Sequence, residues 1–189
     1  MVQITRVYTK SGDKGKTSLG FGGRVSKASL RIDFLGTLDE ANAAMGLALF
    51  HVSEDIQDLL ASIQSRLFDM GAEVCMPGKE EDNPWILEED VTLLESYIDQ
   101  YNASLPDLKS FVLPGGTEGA ARLHFARTVI RRAERQAVVL QETPDEPLRT
   151  EVVQYLNRLS DFLFVLARYA NKKGTSEVFW KPKLSKPTS

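Results

Sequence analysis

The sequence has few of the residues that usually build metal centres and nucleophilic sites. It contains one cysteine, Cys75, and two histidines, His51 and His124, among 189 residues. A single cysteine excludes an internal disulfide and a cysteine-rich zinc site. A di-iron centre in a helical bundle requires Glu-x-x-His pairs, and neither histidine has a glutamate three residues before it. We therefore expect both histidines to be structural and Cys75 to be a small core residue.

Long apolar runs are also missing. No segment reaches the ~20 apolar residues of a membrane span, and the first residues contain no apolar run of signal-peptide length. We therefore expect a soluble, cytoplasmic protein without a membrane segment. The net charge is −3, which argues against a general nucleic-acid surface, so an anion site requires a local concentration of positive charge.

The apolar residues that are present recur mostly at steps of three and four from Asp33 onward, which is the period of an amphipathic helix. This period predicts five helices: 29–51, a second from Ile56 to before Pro77, 88–105, a fourth that follows Thr117 as N-cap and ends near Gln141, and 147–174. Short connections between them predict an all-α five-helix bundle. We expect one domain over residues 1–189, with a nucleotide-binding loop (1–28), the bundle (29–174) and a tail (175–189).

The first 28 residues have no helical period and are rich in glycine, lysine and arginine. Gly15-Lys16-Thr17 resembles part of a phosphate loop, but that motif requires glycine at position 10, where this chain has lysine. Exposed backbone N–H groups could still surround a polyphosphate. Hydroxyl and amine groups for the same purpose come from Thr9, Ser11, Thr17, Ser18, Lys10, Lys14 and Lys27. Asp13 could hold a magnesium ion or cap a turn. A flexible basic arm would have the same composition.

Four arginines lie within nine residues of the predicted fourth helix: Arg127, Arg131, Arg132 and Arg135. Steps of four place three of them on one face, where each like-charged pair costs ~0.2–0.5 kcal/mol. An anion against this face would relieve the repulsion, and the fork of donors on arginine suits phosphate and carboxylate. The alternative is a solvated basic stripe, with Glu134 as a local counter-charge.

Two further segments allow two interpretations each. Asn157 and Asp161 in the predicted fifth helix are either plain surface or part of a polar pocket beside the arginine helix. The apolar run at residues 111–113 is either a buried connection, which is the favoured interpretation, or the apolar wall of a site. The chain has no obvious protein nucleophile or general base, which suggests chemistry carried by a cofactor or a substrate.

Five sequence blocks, in order, together resemble the PduO-type ATP:cob(I)alamin adenosyltransferases: YTKSGDKG, GTLDEANAAMG, FVLPGGT, LHFARTVIRRAER and LNRLSDFLFVLARYAN. They cover nearly the whole chain, and only the loop around 77–87 and the C-terminal tail match weakly. The resemblance implies a homotrimer of five-helix bundles with active sites between subunits. It also implies transfer of the 5′-deoxyadenosyl group of ATP to Co(I) of cobalamin, or of cob(I)yrinic acid a,c-diamide, with release of triphosphate.

The resemblance assigns roles to individual residues. The implied ATP site contains Thr9, Lys10, Ser11, Gly12, Asp13, Lys14, Gly15, Thr17, Ser18, Lys27, Arg131, Arg132, Ala133, Glu134, Arg135 and Asn157. The implied catalytic residues are Arg131, Phe111, Asp39 and Arg127, of which Arg127 would pair with Asp39 of an adjacent subunit. Phe111 would cover the lower face of cobalamin, with Asp161 as a second cobalamin-binding residue.

The resemblance also implies ligands and partners. Mg²⁺ is expected to be held mainly by the ATP phosphates, so the protein ligands of a metal stay unknown. A corrinoid reductase and an enzyme that uses adenosylcobalamin are expected partners, whereas nucleic acid and membranes are not. The alternative function is a nucleotide-gated cobalamin carrier without significant turnover.

Overall fold

The computed structural model describes residues 8–20, 22–76, 85–144 and 148–183, and it confirms the predicted all-α bundle of five helices. The helices are α1 (Leu30–Leu49), α2 (Glu54–Cys75), α3 (Glu88–Asn102), α4 (Glu118–Gln141) and α5 (Thr150–Ala170). The third and fifth helices end a few residues before their predicted limits. None of the described helices is both long enough and apolar enough to cross a membrane.

Helix α4 is the central element, since it packs against α1 on one side and α5 on the other, with α3 on α5 and α2 on α1. Helical spacing predicts six inward-facing residues along α5, and five of them are buried: Val152, Leu156, Leu159, Leu163 and Leu166. The sixth, Ala170, is half-buried because it is the last residue of the helix. Burying each of these side chains contributes roughly 1.5–3 kcal/mol. Cys75 is only half-buried, because it is the last residue of α2 and not part of the core.

The start of α4 is fixed by contacts with two other parts of the chain. The Thr117 hydroxyl accepts a hydrogen bond from the Ala120 N–H at 3.2 Å, which confirms the predicted N-cap. The same hydroxyl donates to the Ala170 carbonyl at 3.1 Å, at the end of α5. A Cβ added to Gly119 would lie 2.2 Å from the His51 carbonyl oxygen, so only glycine allows the α1–α2 turn to pack this closely.

The glycine-rich loop contains a small antiparallel hairpin, β1 (Lys16–Ser18) and β2 (Arg24–Ser26), which the sequence did not predict. Strands of three residues among glycines are too short to show the alternation by which strands are recognised. Leu19 is buried, and the Gly20 N–H donates to the Cys75 carbonyl at 3.1 Å. The described part of the loop is therefore attached to the end of α2, as expected for a built site and not for a free arm.

The first residues of the predicted tail belong to the fold. Two backbone hydrogen bonds of 2.8 Å, from Leu113 N–H to the Val178 carbonyl and from Trp180 N–H to the Phe111 carbonyl, pair this segment with residues 111–113. The predicted tail boundary at 175 therefore excludes residues that the bundle uses. Residues 184–189, and most of the weakly matching loop 77–87, lie outside the described residues.

Candidate functional site

An exposed apolar patch lies where residues 111–113 cross the end of the bundle. Phe111 is 78% exposed, and its ring packs edge-on against Trp180 with ring centroids 6.2 Å apart. Leu113 and Val178 are also exposed, whereas Val112 is half-buried. The favoured interpretation of 111–113 as a buried connection is therefore wrong. Pairing with residues 178–180 gives the segment a strand geometry, which turns alternate side chains outward.

Asn157 lies beside the arginine helix, and both ends of its amide have partners. Its Nδ2 donates to Glu134 Oε1 at 2.8 Å, and its Oδ1 accepts from Arg158 Nη1 at 2.7 Å. Arg158 in turn donates through Nε to Glu95 Oε1 at 2.7 Å. This chain of contacts joins α3, α5 and α4 and fixes the orientation of the Asn157 amide. Arg158 lies in the block LNRLSDFLFVLARYAN but receives no role from the resemblance, and Glu95 falls in no motif, so neither could be assigned to the site from the sequence.

Asp161 follows Asn157 by one turn and interacts electrostatically with the same group of residues. Burial raises the pKa of Asp161; Arg158 opposes this shift, Glu134 adds to it, and Arg131 also opposes it. The face between α4 and α5 therefore carries charges of both signs. Arg131 supplies positive charge there while its side chain stays exposed to an incoming ligand.

Arg132 and Arg135 lie on the side of α4 that faces α1. Arg132 forms an ion pair with Glu40 of α1, so it has an acidic partner within its own chain. Arg135 donates to the Arg131 carbonyl at 3.1 Å. Arg132 and Arg135 line a groove of about 610 Å³ between α1 and α4, whose apolar part includes Leu47 and Phe125. Adjacent residues on a helix point about 100° apart, which separates Arg132 from Arg131.

Arg127 and Asp39 do not meet within the chain. Arg127 is half-buried, and its Nε has no hydrogen-bond partner among the described residues. Burial lowers the pKa of Arg127, and the nearby Arg131 lowers it further. Asp39 is exposed beside a second cavity, of about 450 Å³ between α1 and α2. A half-buried cation that has no hydrogen-bond partner among the described residues is unfavourable in the isolated chain.

Two further residues of α4, Ala133 and His124, are buried beneath its arginines. Ala133 is fully buried, so its part in an ATP site would be to pack beneath the neighbouring arginines. His124 is buried one turn before Arg127, and burial together with the Arg127 charge lowers its pKa to about 4. It is therefore neutral near pH 7, as suits a packed side chain. The other histidine, His51, is not on α4; it lies at the surface, 3.4 Å from a carboxylate oxygen of Glu118.

The glycine loop presents an exposed set of donors. Lys10 and Gly15 adopt left-handed backbone conformations, with φ of 57° and 71°. The Gly15 N–H donates to the Gly12 carbonyl at 3.1 Å, which closes a tight turn around Asp13. A Cβ on Gly12 would lie 2.9 Å from Lys27 Nζ, so this glycine lets the amine approach the turn. Turns of this kind with nearby amines form concavities that suit anions.

The other loop residues assigned to ATP surround this turn. Thr9 and Ser11 hydroxyls are 2.7 Å apart, and Lys14 and Ser18 are exposed, whereas Thr17 is half-buried in β1. In the described ranges no hydrogen bond or ion pair joins these loop residues to α4. Within the part of the chain that the structure describes, Asn157, Asp161 and Arg131 therefore form one electrostatic group, to which the loop is not hydrogen-bonded.

Comparison with known proteins gives this geometry a context. A family model described as cobalamin adenosyltransferase matches residues 7–170. The corrinoid adenosyltransferase of Mycobacterium tuberculosis (strain ATCC 25618 / H37Rv) is 47% identical over 188 residues, covering 96% of this chain and 95% of the relative. That of Bacillus subtilis (strain 168) is 46% identical over 173 residues, covering 89% and 88%.

A solved structure has the same fold over almost the full length. It is a variant PduO-type ATP:corrinoid adenosyltransferase from Lactobacillus reuteri, complexed with cobalamin and ATP. It superposes with a TM-score of 0.86 at 35% sequence identity, and the match covers 93% of this chain and 97% of that chain. On the family match and on relatives similar over nearly their whole length, the chain belongs to the cobalamin adenosyltransferase family.

Proposed function

We propose that this protein transfers the 5′-deoxyadenosyl group of ATP to the Co(I) ion of a corrinoid. The cobalt electron pair forms a bond to the ribose C5′ while the C5′–O bond breaks, and triphosphate leaves with the two electrons of that broken bond. The products are adenosylcobalamin and triphosphate. Supporting this proposal are the family membership and the L. reuteri relative, whose structure holds ATP and cobalamin together.

The observation that carries the proposal is the pairing of two unlike surfaces on one bundle. The face with Arg131, Asn157 and Asp161 is polar and charged, as binding of a polyphosphate nucleotide requires. The patch with Phe111 and Trp180 is aromatic and exposed, as contact with a large flat apolar macrocycle requires. A protein of this design needs no nucleophile of its own, because reduced cobalt supplies it.

Arg131 and the loop lysines would share the negative charge that develops on the departing triphosphate. Among the described residues, no group of three or more His, Cys, Asp or Glu side chains could hold a metal ion. We therefore propose that Mg²⁺ binds through the phosphate oxygens of ATP, which is its usual mode with nucleotides.

Phe111 would influence the cobalt by occupying the space against the lower face of the corrin. An apolar ring against the lower corrin face excludes water and the lower axial ligand, which leaves Co(II) four-coordinate and easier to reduce to Co(I). The exposed position of Phe111 supports this role, since a ring packed into the bundle could not reach a ligand. The preceding one-electron reduction of Co(II) to Co(I) requires an electron donor, which we propose is a corrinoid reductase. The product of the transfer suits an enzyme that uses adenosylcobalamin.

We also propose that the active protein is a homotrimer with sites between subunits. Three observations on the described residues support it: Arg127 Nε has no hydrogen-bond partner among them, Asp39 is exposed, and no hydrogen bond joins the loop to the arginine helix. Arg127 of one subunit would pair with the carboxylate of Asp39 in the next. The loop of one subunit would then reach the arginines of its neighbour.

A charge swap tests this pairing. Asp39→Arg and Arg127→Asp alone are each expected to lower turnover at least tenfold and to weaken the trimer, because breaking a partly buried ion pair costs about 3–5 kcal/mol. The double variant is expected to recover part of the turnover and part of the stability of the trimer. Sedimentation would report the mass, expected near three chains of 21.1 kDa. Asp99→Arg, with the same charge change on the exposed side of α3, is the control. Fully active trimers of both single variants would contradict the pairing.

The reaction itself is tested under anaerobic conditions. The protein is mixed with ATP, Mg²⁺ and Co(I) cobalamin, and we expect the absorption spectrum of adenosylcobalamin together with one triphosphate released per product. Tight binding of both ligands without product would instead favour a nucleotide-gated carrier. Failure to bind either ligand would contradict both functions.

A further inference from the structure

A buried ion pair joins the end of α5 to the C-terminal segment. Arg168 donates through Nε to Glu177 Oε1 at 2.7 Å and through Nη2 to Glu177 Oε2 at 3.3 Å. The same Nη2 donates to the Pro106 carbonyl at 2.7 Å. The two side chains are only 3% and 1% exposed. Two-pronged charged contacts of this kind fix orientation as well as distance.

Asn171 holds the same region from the other side. Its Oδ1 accepts from the Thr117 N–H at 3.2 Å, and its Nδ2 donates to the Ser176 carbonyl at 3.0 Å. A Cβ added to Gly116 would lie 2.4 Å from Asn171 Oδ1, so the amide fits against bare backbone. We call Arg168, Asn171 and Glu177 the C-terminal clasp.

The clasp encloses the segment that carries Phe111. Pro106 and Thr117, which lie before and after this segment, are both bonded to clasp residues. Between them, Phe111 is held by the bond from the Trp180 N–H to its carbonyl, and the Ser110 hydroxyl donates to the Trp180 carbonyl at 3.0 Å. Trp180 lies three residues beyond Glu177, so the ion pair sets where this short strand begins.

We propose that Arg168 and Glu177 are positioning residues for the corrinoid step: their buried ion pair holds residues 178–180, and through them the Phe111 ring, at the exposed apolar patch. This inference rests on the proposed function and names the residues that hold its apolar wall. Neither side chain reaches the patch itself, because both are enclosed by protein. They act only through the backbone pairing of 111–113 with 178–180.

A purely stabilising ion pair is the competing explanation, and the chain offers a matched control for it. Glu73 is also a buried carboxylate, 3% exposed, paired with Arg149 at 3.5 Å and accepting from the Ile86 N–H at 2.8 Å. Arg149 immediately precedes α5 and Arg168 lies near its end, so the two pairs are roughly 30 Å apart. Glu73→Gln should therefore lower stability without affecting the patch.

The first measurement uses tryptophan emission. The chain has two tryptophans, so Trp85→Phe leaves Trp180 as the only reporter. In this background Glu177→Gln is expected to shift the Trp180 emission to longer wavelength and to raise its quenching by acrylamide, because the strand detaches. Glu73→Gln is expected to leave both unchanged. Equal changes in the two variants, or no change in either, would overturn the proposal.

The second measurement separates the clasp from the chemistry. Glu177→Gln is expected to bind ATP normally and to adenosylate pre-reduced Co(I) within about twofold of the parent. The rate at which Co(II) cobalamin bound to Glu177→Gln is reduced should fall by roughly tenfold or more. The four-coordinate Co(II) spectrum should also be lost, because a displaced ring admits the lower ligand. An intact four-coordinate spectrum in a folded Glu177→Gln protein would overturn the proposal.

A second variant and a check of corrinoid binding by the parent protein keep these outcomes distinct. If Glu177→Gln does not fold, Arg168→Lys retains the charge but loses the fork, and the same two shifts are expected at smaller amplitude. If Arg168→Lys matched the parent protein in both the Trp180 emission and the Co(II) measurement, the proposal would be overturned. If the parent protein itself binds no corrinoid, the proposed function fails, while the Trp180 emission still decides whether the clasp holds the strand.

Discussion

Arg131→Ala should lower kcat/KM for ATP by roughly 10²–10³-fold, which is the usual effect of removing one fixed donor to a developing charge. Arg131 lies exposed beside a face where the Asn157 amide is already oriented by Glu134 and Arg158 and where Asp161 adds a negative charge. Its guanidinium is the cation on this face that has room to bind triphosphate. The neutral alanine side chain would remove one of the cations proposed to share the charge on the leaving group.

The measurement is triphosphate release with saturating Co(I) cobalamin over a range of ATP concentrations. Arg131→Lys should retain part of the rate, because a point charge replaces the fork of donors. Arg122→Ala is the control, since Arg122 lies on the same helix and pairs at 2.6 Å with the exposed Glu118, an interaction worth little. Unchanged ATP affinity and turnover in Arg131→Ala would contradict the proposed nucleotide site.

Phe111→Ala should slow the steps that start from Co(II) cobalamin by at least tenfold while leaving the Kd of ATP within about twofold. The ring is exposed, so its removal leaves no cavity in the core, and the free energy of unfolding should hardly change. What would be lost is the apolar wall that we propose excludes water and the lower ligand from cobalt.

The assay follows the Co(II) spectrum in the presence of ATP, and then the yield of adenosylcobalamin after reduction. Phe50→Ala provides the matched control, because Phe50 is an equally exposed phenylalanine, at the end of α1. Loss of ATP binding or of thermal stability in Phe111→Ala would show that Phe111 is structural.

The helices could be predicted because their signals are local. The period of three and four fixed α2 and α5, and Thr117 marked the start of α4 by the chemistry of its hydroxyl. The hairpin in the glycine loop could not be predicted in this way. Its pairing of Thr17 with Val25 depends on glycine turns and on a contact with the end of α2.

The site was harder to predict than the helices because its contacts are distant in sequence. The apolar run at 111–113 favours a buried connection, because it carries no sign of the strand, far along the chain, that turns the Phe111 ring outward. Only the family resemblance assigns that ring to a ligand. Arg132 could be placed on a helix, but nothing local said that Glu40 of α1 would face it. The C-terminal clasp was missed for the same reason: Arg168 and Glu177 have no motif in common.

The pairing of residues 111–113 with 178–180 also sets an order during synthesis. Most of the bundle's apolar surface can be buried once α5 has left the ribosome, since α4 packs mainly on α1 and α5. The aromatic patch needs Trp180, which is made later still. A nascent chain can therefore be helical and largely folded before the aromatic patch is complete, so the proposed capture of a corrinoid would have to wait until synthesis has passed that point.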